Sequence, residues 1–219
     1  MKLADIKGCI CSRLYSRLEH DITELRPAQE KAIDSGLLEG KSLLVCTPTA
    51  SGKTLIAELA MMNNIYKGIG KAVYIVPLKA LASEKYRDFK NRYPDIKVAL
   101  SIGDSDSSES RLSSYDLIVL TSEKLDSLIK HHAPWLRDVK TVVIDEIHLL
   151  NDPSRGPTLE ILITLLRKML KNIQLVGLSA TIGNPFELSD WLSAEPVLDE
   201  WRPVELKKGV VLDSSVEFG

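Results

Sequence analysis

The stretch "TPTASGKT" at residues 47–54 gathers three groups that handle phosphate. Gly52 offers backbone without side-chain bulk, Lys53 a positive charge, and Thr54 a hydroxyl suited to Mg2+. Phosphate loops usually follow G-x-x-x-x-G-K-[ST], and Thr47 stands here in place of the first glycine. The substitution is physically tolerable. A residue before proline is pushed into the extended region, and Pro48 fixes its own φ near about −65°. The chain thus leaves the apolar run before it extended, with no glycine required at 47. Beyond Thr49, small Ala50 and Ser51 permit close backbone approach to a ligand. Gly52 then opens a helix whose free N–H groups and dipole favour an anion.

A second group is "DEIH", residues 145–148, which ends the apolar run "TVVI". Asp145 at a strand end suits a water-mediated Mg2+ contact. Glu146 beside it suits the base that orients and deprotonates an attacking water. A third is "SAT", Ser179 to Thr181, where small hydroxyls end another apolar run and can relay hydrogen bonds between Asp145, His148 and elsewhere. A fourth is "LRPAQ", residues 25–29, in which Gln29 presents a donor and an acceptor together, matching the N6 and N7 edge of adenine.

These residues must be carried by a scaffold, and the apolar runs define it. "SLLVC" (42–46), "AVYIV" (72–76), "KVAL" (97–100), "LIVL" (117–120), "TVVID" (141–145) and "QLVGLS" (174–179) are aliphatic without alternation. Strands buried on both faces read this way. Helical patterns lie between them at 52–66, 78–90, 122–130, 157–171 and 185–192. Asn184-Pro185-Phe186-Glu187 starts the last with a cap, a first-turn proline and an acid. The alternation predicts an α/β fold, a mostly parallel sheet with helices on both faces. Ligands of such sheets bind beyond the carboxyl ends of the strands, where the first three groups stand. Residues 3–18 read as helical, and from about 195 the pattern becomes extended.

Bulk properties narrow the class. With 219 residues, 44% of them hydrophobic and 26% charged, the chain can bury a real core. A net charge of −2 gives no global pull toward nucleic acid, so any such contact must be local. Cys9, Cys11 and Cys46 fail both a paired disulfide framework and a metal set, and fit a reducing interior. No run reaches the ~20 apolar residues of a membrane span, and the N-terminus has no signal-peptide core. A soluble, cytoplasmic chain with no membrane partner is expected.

In this order, "LRPAQ", "TPTASGKT", "VPLKALASEKY", "TSEK", "DEIH" and "SAT" resemble the first motor domain of superfamily-two DExH helicases. With "LNDPSRGPTLE" and "EWRPVELKKGV", the chain is most similar to the Ski-like branch and its archaeal Hjm-type DNA repair helicases, over about residues 20–212. The resemblance implies a RecA-like P-loop NTPase domain that uses ATP and Mg2+. It implies adenine reading by Gln29, nucleotide binding by Thr47 to Thr54, and hydrolysis supported by Lys53, Asp145 and Glu146. Thr54 and Asp145 would hold the metal, and His148, Ser179 and Thr181 would couple nucleotide state to strand movement. Pro77, Leu78 and Lys79, Gly103 and Asp104, and Thr121, Ser122 and Glu123 match stretches that line a single-stranded or forked DNA path. A Thr or Ser before Glu and an apolar helix is equally a capping signature, and both readings of 121–123 stand.

Family motors pair two such domains across the ATP cleft. The expected division is a helical lead-in (1–24), a first motor domain (25–195) and an extended linker (196–219) toward a second motor domain outside this chain. The activity implied is 3′ to 5′ translocation on single-stranded DNA in replication-fork repair, with the piece alone weak or inactive. The alternatives are an RNA helicase of the same branch and a nucleotide-binding module without turnover.

Overall fold

The computed structural model describes residues 1–103, 110–170 and 172–204, and the backbone alone at 209–212 and 215–218. Seven strands form one sheet in which every pairing is parallel: β1 (Leu43–Cys46), β2 (Lys71–Val76), β3 (Val98–Ser101), β4 (Leu117–Thr121), β5 (Val139–Ile144), β6 (Gln174–Ser179) and β7 (Glu195–Leu198). Their order across the sheet is β3-β4-β2-β5-β6-β1-β7. From β1 the chain passes β6 and β5 to reach β2, which makes the β1 end a topological switch point.

Helices cover both faces. α1 (Ser12–Leu18), α2 (Pro27–Asp34), α3 (Lys53–Tyr66) and α4 (Lys79–Arg92) pack with Leu43, Val45, Tyr74 and Val143 in one core. α5 (Ser122–Lys130), α6 (Gly156–Met169) and α7 (Pro185–Leu192) pack with Leu44, Val73, Ile75 and Val142 in the other. Successive strand residues point to opposite layers, which is why the runs read as continuous apolar sequence. α3 is buried from Leu55 through Asn63 because the sheet lies on one side and α1 and α2 on the other, with side chains of α4 reaching Thr54 and Glu58.

Two segments differ from the sequence expectation. The helix expected across 3–18 divides into a 3-10 turn (Leu3–Ile6) and α1. Gly8 weakens the helix between them, and the amide of Cys11 donates to Asn63 Oδ1 on α3 at 2.9 Å. Leu3, Ile6, Leu14 and Leu18 all enter the first core. The segment from 195 is extended, and Glu195–Leu198 joins the sheet as an edge strand beside β1. The boundary expected between 195 and 196 falls inside this strand. Pro196 fits there because an edge strand has one side that need not donate. A hairpin of β8 (Gly209–Leu212) and β9 (Ser215–Phe218) follows. No helix among the described residues is long and apolar enough to cross a membrane.

Candidate functional site

Because the strands are parallel, their carboxyl ends share one rim, and the residues singled out by sequence, apart from Gln29 on α2, lie at or just after those ends. Thr47 leaves β1 with its amide donating to the Ser179 carbonyl of β6 at 3.2 Å. Its buried hydroxyl meets Ser51 Oγ at 2.7 Å, closing the loop on itself. Two loop residues take left-handed backbone, Ala50 at φ +65° and Gly52 at φ +94°. At Gly52 a Cβ would also fall 2.3 Å from Gln29 Nε2, so the left-handed backbone calls for glycine and any other residue would displace the Gln29 amide. Lys53, first residue of α3, turns its ammonium inward to the carbonyls of Thr47 (2.7 Å) and Pro48 (3.3 Å). Burial pushes the Lys53 ammonium below its ordinary range, and the nearby Glu146 and Asp145 carboxylates pull it partly back.

Gln29 lies on α2 and is 4% exposed. Its Oε1 accepts from the Arg26 amide at 2.8 Å, and its Nε2 donates to the Gly52 carbonyl at 3.1 Å. One amide hydrogen and one oxygen lone pair remain beyond these bonds. Arg26 reinforces the brace by donating to the Ala50 carbonyl at 2.5 Å, with its guanidinium 5.7 Å from the centre of the Trp201 ring. Sequence reading missed Arg26, although its place three residues before Gln29 in "RPAQ" is the cap of α2.

Asp145 follows β5, its amide still donating to Ile75 of β2 at 2.8 Å. Oδ1 accepts from the Glu146 amide at 3.0 Å, and Oδ2 accepts from the buried Tyr74 hydroxyl at 2.7 Å. Tyr74 was also missed, because an aromatic inside an apolar run reads as core. Burial and the Asp145 carboxylate together push its phenol far above the ordinary range. Glu146 is left-handed at φ +54°, a conformation that disfavours side chains by roughly 1–2 kcal/mol.

His148 Nδ1 lies 3.3 Å from Glu146 Oε2 and 3.4 Å from the Ala180 amide. A bare Nδ1 accepts from Ala180, whereas a protonated one donates to Glu146, so it serves one neighbour at a time. The contact with the "SAT" turn therefore runs through backbone. Ser179 is buried with its hydroxyl beside the Cys46 thiol, which burial raises in pKa, and Thr181 is exposed.

Farther along the rim, Pro77 and exposed Leu78 and Lys79 follow β2 and start α4. Gly103 (φ +109°) follows β3, while Asp104 lies outside the described residues. Thr121 caps α5, its Oγ1 accepting from the Lys124 amide at 3.4 Å, with Ser122 and Glu123 in the first turn. Behind the phosphate loop a cavity of about 740 Å³ opens between α2, α3 and α4, with Arg26, Gln29, Gly52, Thr54 and Lys85 in its wall.

The family model for the DEAD/DEAH box helicase matches residues 26–188. Over 205 residues the chain is 55% identical to the ATP-dependent DNA helicase Hel308 of Methanocaldococcus jannaschii, covering 90% of this chain and 17% of that one. It is 56% identical over 193 residues to the protein of the same name from Pyrococcus abyssi, covering 88% of this chain and 27% of that one. The chain thus spans well under a third of these relatives. Among solved structures, the DUF1998 helicase MrfA bound to DNA and AMPPNP superposes with a TM-score of 0.73 at 28% identity, covering 88% of this chain and 29% of that one. A match over most of the chain, with the motifs in the same order along one rim, makes this chain a member of the DEAD/DEAH box helicase family.

Proposed function

We propose that the chain is the ATP-binding motor domain of an ATP-dependent DNA helicase that moves 3′ to 5′ along single-stranded or forked DNA in replication-fork repair. The observation that carries this reading is one rim that holds Lys53 after β1 and, with only β6 between, Asp145 and Glu146 after β5, whose carboxylates act on the Lys53 ammonium, with His148 reaching from Glu146 to the turn after β6. The site fits a nucleoside triphosphate: left-handed Gly52 opens the N-terminus of α3, flanked by an inward-facing ammonium and bordering the cavity behind the loop.

In this reading the amides of residues 50–54 and the Lys53 ammonium bind phosphate, in exchange for the carbonyls that Lys53 now contacts. Thr54 and Asp145 hold Mg2+, which supplies charge neutralisation on the phosphates. Glu146 orients the attacking water and takes its proton. Gln29 reads adenine with its remaining donor and acceptor. His148, with Ser179 and Thr181 nearby, couples nucleotide state to the strand. Pro77, Leu78, Lys79, Gly103, Asp104, Thr121, Ser122 and Glu123 grip the phosphate backbone, chiefly through amides and hydroxyls, which suits a net charge of −2. Residues 1–24 form a lead-in to the motor, and the chain after β7 leads to a second motor domain, which supplies the remaining half of the ATP cleft.

The test is nucleotide and strand binding by the parent chain and Lys53→Ala. Lys53→Ala is expected to lose ATP affinity, and unchanged affinity removes the loop assignment. In the longer protein, ATP turnover is expected to rise with single-stranded DNA. Equal stimulation by RNA would transfer the reading to an RNA helicase of the same branch.

A further inference from the structure

The helix α4 has business at two places. Its first residue, Lys79, stands on the rim, and six residues on, roughly 9 Å along the axis, Lys85 faces α3. There the Lys85 ammonium donates to Thr54 Oγ1 at 3.3 Å. Lys85 is half-buried and lines the cavity of about 740 Å³ together with Gly52, Thr54 and Gln29. The acid beneath it, Glu58, is held by Tyr93 (2.6 Å) and Arg92 (3.0 Å). A neutral hydroxyl engages one of the three donors of an ammonium. Lys85 shares its cavity wall with Gly52 and Thr54 of the phosphate loop, and Arg26 and Arg92 stand there against the carboxylates of Asp21, Glu24, Glu58 and Asp88.

We propose that Lys85 is a second phosphate-binding cation of the nucleotide site, serving the inner phosphates while Lys53 serves the terminal ones. The inference rests on the nucleotide reading above. A nucleotide with its base in the cavity beside Gln29 and its terminal phosphate on the loop must run its inner phosphates past Thr54, within reach of Lys85. Charge is what Lys85 contributes; Thr54 alone offers a hydroxyl. The same rigid helix then bears on the nucleotide at Lys85 and on the rim at Lys79.

The experiment is calorimetric titration of the chain with ADP and with a non-hydrolysable ATP analogue, for the parent, Lys85→Met, Lys85→Arg and Lys53→Ala. Loss of one charge-assisted contact predicts about tenfold weaker binding of both nucleotides by Lys85→Met, with most of it restored in Lys85→Arg. The affinity of Lys85→Met for ADP is also expected to fall less steeply with added salt, a readout that a packing role would not move. Parent-like ADP affinity in Lys85→Met, an unchanged salt slope, or equal losses in Met and Arg variants overturns the proposal. If Lys53→Ala loses the ATP analogue while Lys85→Met binds as the parent, this inference alone falls. If Lys53→Ala also binds as the parent, the nucleotide reading falls with it.

Discussion

The hydroxyl of Tyr74 and the carboxylate of Asp145 meet across neighbouring strands at 2.7 Å, from a tyrosine with no exposed surface. The donor fixes Oδ2, while the amide of Glu146 fixes Oδ1. Both oxygens are thereby aimed before any ligand arrives. Groups that orient a metal-binding carboxylate typically contribute about 10–100-fold in metal affinity. On the proposed reading, Tyr74→Phe should raise the Mg2+ concentration for half-maximal ATP turnover by about tenfold in the longer protein. It should also lower stability by about 1.5–3 kcal/mol through the lost charged hydrogen bond. An unchanged Mg2+ requirement would show that Asp145 is positioned without Tyr74.

Glu146 sits in a strained backbone conformation with its carboxylate toward His148. Glu146→Gln keeps the shape and, on the proposed reading, removes the base. Nucleotide binding is expected to persist while the rate of hydrolysis falls by about 10²–10⁴. The two measurements must separate; a variant that hydrolyses ATP at the parent rate removes Glu146 from that role.

The start of α6 depends on a close approach. A Cβ at Gly156 would stand 2.1 Å from the Leu150 carbonyl oxygen, a contact only backbone movement relieves. Gly156→Ala should therefore destabilise the chain by about 1–3 kcal/mol in urea unfolding. Asp152 Oδ1 gathers the Ser154 and Arg155 amides in the same turn, so displacement there disturbs a capped helix start. Parent-like stability would mean that the turn shifts freely.

Glu58 gives a pH signature. Burial pushes its carboxyl above the ordinary range, against the lowering pull of Arg92 and the Tyr93 hydroxyl. A carboxyl with a raised folded pKa binds its proton more tightly when folded. That stabilisation is present below the unfolded value of about 4.3 and is lost as pH rises through the folded value. Glu58→Gln retains an acceptor for Tyr93 and should flatten the fall in melting temperature on the neutral side of about pH 4.3. An equally steep fall in the variant would assign the slope to other groups.

The scaffold was legible because fully buried parallel strands leave uninterrupted apolar runs, and six of the seven strands announce themselves so. β7 did not, since Glu195 and Pro196 break the run, and a proline argues for a strand only once its edge position is known. The candidate site was legible where chemistry is concentrated in adjacent residues, as in Gly52-Lys53-Thr54 and Asp145-Glu146. It was not legible where function is shared across distant segments. Arg26 reaches Ala50 over 24 positions and Tyr74 reaches Asp145 over 71, and neither pairing leaves a trace in local pattern. The left-handed backbone of Ala50 was hidden for another reason: no residue type favoured there advertises it.

Two loops contend for one nitrogen. His148 Nδ1 faces Glu146 on one side and the Ala180 amide on the other, and a single ring position cannot donate and accept together. A link of this kind transmits by exclusion. On the proposed reading, drawing the Glu146 carboxylate onto the ring would release the turn after β6, and seating that turn would free the carboxylate.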